Sequence, residues 1–200
     1  LVASGDDLAA SVNHTLGTLG IPHLDRDEII GFIGDGAAQL VERALGDGHG
    51  HRFHEAIGIF RAHYADHLLD TTTLYPGVHD TLEYFRDTKK VIVTNKLYAY
   101  TVKIAEELGI VDCFEEIFGA DSSPAKKPDK ELLLPLLERY GAERTDTVVI
   151  GDGINDILLA KNSGAMSCAL LNGLGDRGRL LSLRPDYCCE DITELRELFA

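Results

Sequence analysis

Asp152 and Asp156 close the stretch Thr147-Val148-Val149-Ile150-Gly151-Asp152-Gly153-Ile154-Asn155-Asp156, where a run of β-branched residues stops abruptly at two carboxylates. Residues 147–150 read as a parallel strand buried on both faces, because a strand covered by helices has no polar face to show. Gly151 and Gly153 permit a tight turn, which leaves Asp152 at the carboxyl end of the strand and Asp156 near the start of the next helix. Two acids converging at a strand end suit a hard cation with oxygen ligands, which in phosphate chemistry is Mg²⁺ keeping several of its waters. The alternative is a turn followed by a helix start, with Asp156 only complementing the helix dipole.

Two more strand ends carry residues suited to the same task. Residues 91–94 end in Thr94-Asn95-Lys96, which offers a hydroxyl and backbone N–H groups where the chain turns toward a helix, a natural phosphate cradle. After a strand over 116–119, Lys126-Lys127-Pro128-Asp129 follows; Pro128 holds the preceding residue extended and aims Lys127 toward the strand ends. Singly, Thr-Asn is an ordinary turn and Lys-Pro a solvated loop. Together a hydroxyl, a lysine and a carboxylate pair would bind a phosphoryl group, neutralise its charge and hold a metal.

The elements that position these groups fall into two stretches. Apolar stripes through Leu8, Val12, Leu16 and Leu19, then Ile29, Ile30 and Ile33, then Leu40, Val41 and Leu45, then Phe53, Ile57, Phe60, Tyr64 and Leu68 predict four helices and an all-helical bundle over 5–71. The third is expected to stop at Gly46. Residues 1–4 form no complete element. From Tyr75-Pro76-Gly77 onward, strand and helix alternate: helix 78–85, strand 91–94, helix 99–108, strand 116–119, helix 130–140, strand 147–150, helix 154–162, strand 166–171, edge strand 186–189 and helix 192–199. Repeated βα units predict an α/β fold, a doubly wound parallel sheet with its ligands at the carboxyl ends of the strands. Residues 1–4 and 72–200 would form that core, and Gly34-Asp35-Gly36 is the lid loop whose glycines allow close approach to the site.

With 33 acidic and 19 basic residues the net charge is −14, which repels nucleic acid and anionic membrane surfaces, so a site for an anion must build its positive potential locally. The four cysteines show no Cys-x-x-Cys spacing, so neither a zinc site nor a disulfide framework is indicated, and a reducing, cytoplasmic setting fits. His49, His51 and His54, with His63 and His67 four apart, make a metal site conceivable, but no carboxylate pattern accompanies them and exposed helical histidines are the alternative.

The chain resembles the haloacid dehalogenase superfamily of hydrolases and, within it, the phosphoglycolate phosphatase group. The likeness runs through Phe32 to Leu45, His63-Tyr64-Ala65, Tyr75-Pro76-Gly77-Val78, Thr94-Asn95-Lys96, Lys127-Pro128-Asp129 and Gly151 to Asp156. It implies a Rossmann-like core with a helical cap acting as a lid. It further implies that Thr94 and Asn95 hold the transferring phosphate, Lys127 stabilises its charge, Asp152 ligates Mg²⁺ and Asp156 supports the metal shell. Lys96, Gly34 and Gly36 complete the expected substrate-binding set. The superfamily's first strand ends Asp-x-Asp-Gly-Thr, whose first Asp attacks phosphorus; Leu1-Val2-Ala3-Ser4 aligns just after it, so the nucleophile is expected upstream of Leu1, and Ala3 stands where many relatives carry an acid.

The expected activity is that of a phosphatase acting on a small phosphorylated acid such as 2-phosphoglycolate, as a monomer or homodimer, with no nucleic-acid or membrane partner. A dehalogenase or sugar-phosphate mutase is the chemical alternative. A non-catalytic relative that binds a phospho-ligand or protein partner is the alternative from a different class.

Overall fold

A two-residue strand, β1 (Val2–Ala3), pairs antiparallel with β2 (Thr73–Leu74), Val2 against Leu74 and Ala3 against Thr73. The computed structural model describes residues 1–199. This pair has no alternating pattern to read, since two residues are too few to show a period. It is the neck from which residues 5–72 depart and to which they return.

The excursion is helical: α1 (Gly5–Thr18), α2 (Arg26–Ile30), α3 (Ala37–His49) and α4 (Phe53–Asp66). The stripes that predict these helices bury as one cluster in which Val12, Leu16, Ile29, Leu40, Val41, Phe60, Tyr64 and Leu68 are all closed to solvent. Each such aliphatic or aromatic side chain contributes about 1.5–3 kcal/mol through burial. The third helix is broken at Gly46 as expected, where φ +59 and ψ −176 are not helical, and a further short helical turn runs from there to His49. Glycine tolerates a left-handed kink that another residue would resist.

At the neck, Asp7 of α1 is buried and accepts hydrogen bonds from the backbone N–H and hydroxyl of both Thr71 and Thr72, at 2.5–3.2 Å. Burial alone would raise the Asp7 carboxyl, but those donors outweigh it and hold it below the usual range.

After α5 (Val78–Tyr84), strand β3 (Val91–Val93) leads into α6 (Tyr98–Glu107) and pairs in parallel with β4 (Glu116–Phe118). Beyond α7 (Leu134–Tyr140), β5 (Val148–Gly151) leads into α8 (Ile154–Ser163), β6 (Met166–Leu170), α9 (Arg177–Ser182), β7 (Tyr187–Cys189) and α10 (Leu195–Leu198). The order β5-β6-β7 is parallel throughout. Among the described residues no helix is long and apolar enough to cross a membrane.

Three expectations need correction. The helix predicted over 130–140 is a 3₁₀ turn at Lys130–Leu132 followed by α7, because Pro135 fits only the first turn of a helix. Helix α9, started by Asp176 accepting from Arg179 N at 2.7 Å, is too short for periodicity to reveal. The strand ending at Asp152 is not buried on both faces. Val148 and Val149 are only partly covered and Ile150 is 38% exposed, because β3 and β5 do not pair and a cavity lined by both runs between the two ladders.

Candidate active site

Strand β5 delivers Asp152 to its carboxyl end as the sequence predicts, and a second loop holds it there. Oδ2 of Asp152 accepts from the backbone N–H of Leu174 at 2.7 Å, while Oδ1 has no hydrogen-bond partner among the described residues. A Cβ on Gly173 would collide with the Asp152 carboxylate, and one on Gly175 with its backbone carbonyl. The turn after β6 therefore wraps Asp152 with bare backbone, which is what those glycines permit.

Lys127 and Asp156 meet. Lys127 Nζ donates to Asp156 Oδ1 at 2.6 Å, and Asp156 Oδ2 accepts from Gly153 N at 3.0 Å. Both side chains are nearly closed to solvent. One Asp156 oxygen closes the first turn of α8, as the helix-start reading expects, and the other holds Lys127. With both oxygens engaged, Asp156 is less available as a direct metal ligand than Asp152. The Lys127–Pro128 peptide is cis.

At the end of β3, the Thr94 hydroxyl accepts from Lys96 N at 3.1 Å and keeps its own proton to donate. The Asn95 side chain is held within the protein. Its amide nitrogen donates to the carbonyls of Gly34, at 3.0 Å, and Lys127, at 3.3 Å, while its oxygen accepts from Lys127 N at 3.2 Å. Asn95 is 8% exposed and stitches the lid loop to the Lys127 loop, so what it can offer a phosphate is backbone. The Lys96 Nζ reaches the Tyr64 hydroxyl and, at 3.5 Å, Ser4 Oγ.

The lid loop lies on these strand ends. The Gly34 carbonyl accepts from both Asn95 and Asn155, and Asn155 also donates to Asp35 Oδ1 at 2.7 Å. Gly36 has φ +91, and a Cβ there would lie 3.1 Å from the Asn95 carbonyl oxygen. Asp35 is held below the usual carboxylate range, first by the Asn155 hydrogen bond and then, against burial, by Arg43.

All of these groups border one cavity of ≈ 1620 Å³. Burial, with the Asp152 charge behind it, raises the Tyr75 phenol.

For a cation, the donors here are hard oxygens. The described residues contain no set of three His, Cys, Asp or Glu side chains placed to hold a metal. The free Asp152 oxygen, backbone carbonyls, water and a phosphoryl oxygen would make up the shell, which fits Mg²⁺ and its habit of keeping waters. The lid histidines do not converge on a centre. His14, His63 and His67 stack at 4.0 and 4.2 Å between rings, with His63 Nδ1 on Ser11 Oγ at 3.0 Å and His67 Nδ1 on Asp70 at 2.6 Å.

Sequence reasoning missed Asn155, Gly173 and Gly175. The signal for the glycines was present in Asn172-Gly173-Leu174-Gly175, directly after a strand in the same sheet. Asn155 lay inside the motif itself and gave no sign that it would face the lid.

A parallel α/β core with acids and a lysine at its strand ends, closed by a helical cap, defines a Rossmann-like hydrolase. The chain belongs to the haloacid dehalogenase-like hydrolase family, which it matches over residues 1–170. It is similar to a phosphoglycolate phosphatase of Chromobacterium violaceum, 36% identical over 99% of this chain and 91% of that protein. A phosphoglycolate phosphatase 1 of Pseudomonas aeruginosa is 33% identical over 98% of this chain and 74% of that protein. Among solved structures, a predicted phosphoglycolate phosphatase from Haemophilus somnus superposes with a TM-score of 0.92 at 26% identity, covering 100% of this chain and 93% of that one. A haloacid dehalogenase-like hydrolase from Streptococcus pneumoniae does so at 0.89 and 27%, with the same coverage.

Proposed function

We propose that the protein is a Mg²⁺-dependent phosphomonoester hydrolase of the cytosol acting on a small phosphorylated acid such as 2-phosphoglycolate. The observation that carries the reading is the meeting, in one cavity, of the Lys127–Asp156 pair, an Asp152 oxygen with no protein partner and the Thr94 hydroxyl. The activity named for the relatives supports the choice of substrate.

Lys127 supplies a fixed positive charge to a phosphoryl group, and its geometry is set beforehand by Asp156, so no reorganisation is needed as charge develops. Thr94 donates its proton to a phosphoryl oxygen, and the backbone N–H groups at the end of β3 orient a second. Asp152 would hold the cation, with Asp156 behind it, and the bound Mg²⁺ would draw negative charge from the phosphoryl oxygens. Residues 5–71 form the lid that excludes water and sorts substrates, with Gly34 and Gly36 bringing its loop to the site.

None of Thr94, Lys127 and Asp152 is a suitable nucleophile: the threonine has no adjacent base, the lysine is ion-paired and Asp152 is committed to the cation. We propose that the attack belongs to the first Asp of the Asp-x-Asp-Gly-Thr strand, which the family likeness puts before Leu1. That Asp would form an aspartyl-phosphate with loss of the alcohol, and water would then release phosphate.

The test is phosphate release from a panel of small phosphoesters by the protein with its upstream segment, with Mg²⁺ and with a chelator. Metal-dependent release that favours a phosphorylated acid is expected. Inertness toward the whole panel ends the proposal, and chelator-insensitive release of halide from a haloacid would favour dehalogenation instead.

A further inference from the structure

The Lys96 ammonium is buried between the lid and the core, and no carboxylate among the described residues lies within ion-pair distance of it. Its contacts are the Tyr64 hydroxyl from α4 and, at 3.5 Å, Ser4 Oγ from the neck; an ammonium has three donors, which leaves one without a protein acceptor. The acid whose charge acts on it is Asp7, and the oxygens of Asp7 are already taken by Thr71 and Thr72. A buried cation without a counter-ion is costly, and replacing it with an apolar chain of similar length is often neutral or stabilising. A purely structural tie between α4 and β3 would not need a charge.

Lys96, Tyr64 and Ser4 border the same cavity as Thr94, Lys127 and Asp152, on a wall otherwise apolar with Leu8, Phe60 and Ile104. Resting on the phosphomonoesterase reading above, we propose that Lys96, Tyr64 and Ser4 form the seat for the carboxylate of the substrate, the anionic group that is not transferred. Lys127 meets the phosphoryl group at one end and Lys96 meets the carboxylate at the other. Burial raises the Tyr64 phenol, so it stays protonated; while accepting from Lys96 it can donate its own proton to a carboxylate oxygen. Because Lys96 comes from the core, Ser4 from the neck and Tyr64 from the lid, the seat is complete only when the lid rests on the core. Charge pairing in this apolar wall is stronger than in water.

Burial lowers the Lys96 ammonium to about 8, against the opposing pull of Asp7. The groups facing it are Tyr64 and Asp7, with Tyr100 of α6 against the Tyr64 ring at 5.6 Å, and Lys127, Asp152 and Asp156 across the cavity. The neutral amine has no charge for a carboxylate, so selectivity should fade as the pH rises through about 8.

The experiment compares 2-phosphoglycolate with ethyl phosphate, which keeps the phosphoryl group and the two-carbon chain but lacks the carboxylate, in the natural-length enzyme with Mg²⁺. In Lys96→Met the rise in KM for 2-phosphoglycolate is expected to exceed that for ethyl phosphate by ~10-fold or more, the worth of one charge-assisted hydrogen bond. Lys96→Arg should retain part of the preference. In the parent enzyme, KM for 2-phosphoglycolate should climb above pH 8 relative to that for ethyl phosphate. Equal losses on both esters, or a parent preference that does not change with pH, would overturn the carboxylate seat while leaving the phosphatase reading intact. Absence of turnover on either ester would instead remove the phosphatase reading, and this inference with it. Should Lys96→Met fail to fold, the parent pH profile and the Arg variant decide.

Discussion

Lys127 Nζ lies 2.6 Å from Asp156 Oδ1, with the two side chains only 12% and 13% exposed. The contact ties the loop after β4, in one ladder, to the first turn of α8, which follows β5 in the other, elements that are not near in sequence. A pair this well covered is held in a medium where charge is poorly screened, so each partner fixes the other.

Lys127→Met should therefore cost twice. Losing the charge aimed at the phosphoryl group is expected to lower kcat by ~10²–10³-fold, as for removal of one preorganised donor. Leaving Asp156 buried without its partner is expected to lower stability by about 3–5 kcal/mol. Phosphate release and thermal denaturation measure the two effects separately, and an active, equally stable variant would show that the pair is not part of the machinery.

Gly173→Ala tests the cradle around Asp152. The added Cβ would run into the Asp152 carboxylate and push it off its hydrogen bond to Leu174 N. A displacement of this kind near the chemistry is expected to reduce kcat/KM by ~10²-fold, with a raised Mg²⁺ requirement. Unchanged Mg²⁺ dependence would mean that Asp152 is not held by this loop.

How much of this could be read from the chain depends on range. The helices of the lid and the strands ending at Thr94 and Asp152 follow from apolar periodicity, which burial enforces locally, and Phe60, Tyr64 and Val12 are buried as their spacing predicts. The task of Asn95 was not legible. An amide at a strand end names no partner in sequence, and the contact of the Asn95 side chain with the Gly34 carbonyl is set by the fold. The exposure of Ile150 was equally hidden, since a β-branched run predicts a strand but not whether a neighbour covers its edge. Gly46 was legible as punctuation, whereas the 3₁₀ turn at Lys130–Leu132 was not, because a Leu-rich run reads as one helix whichever way its first turn winds.

Asp7→Asn addresses the neck. The Asp7 carboxyl is held below its ordinary value, so the folded state binds its proton less readily than the unfolded chain. The contribution to stability is then complete above the unfolded value of about 3.9 and is lost as the pH falls through the lower folded value. At neutral pH the variant is expected to be less stable by about 2 kcal/mol, the scale of a hydrogen bond to a charged group, and the gap to the parent should narrow on acidification below that range. Denaturant melts across pH give the answer; a gap that widens toward acid would contradict the assignment.

Gly36→Leu concerns the lid loop. Gly36 combines φ +91 with a close approach to the Asn95 carbonyl, so a branched side chain is strained and must lift the loop. KM for 2-phosphoglycolate is expected to rise more than KM for a small artificial ester that needs no lid contacts. Equal losses on both would reduce Gly36 to the start of α3.

The central claim is that Asp152 presents its free oxygen to a cation that the reaction requires. The most direct measurement is a Mg²⁺ titration of phosphate release from 2-phosphoglycolate by the natural-length protein and by Asp152→Asn, which keeps the shape and the Leu174 contact but removes the charge. The account predicts saturable activation of the parent, abolished by chelator, and in the variant a loss of ~10²-fold or more with half-activation moved to higher Mg²⁺. A variant that matches the parent at every Mg²⁺ concentration, or a parent indifferent to chelator, would contradict it.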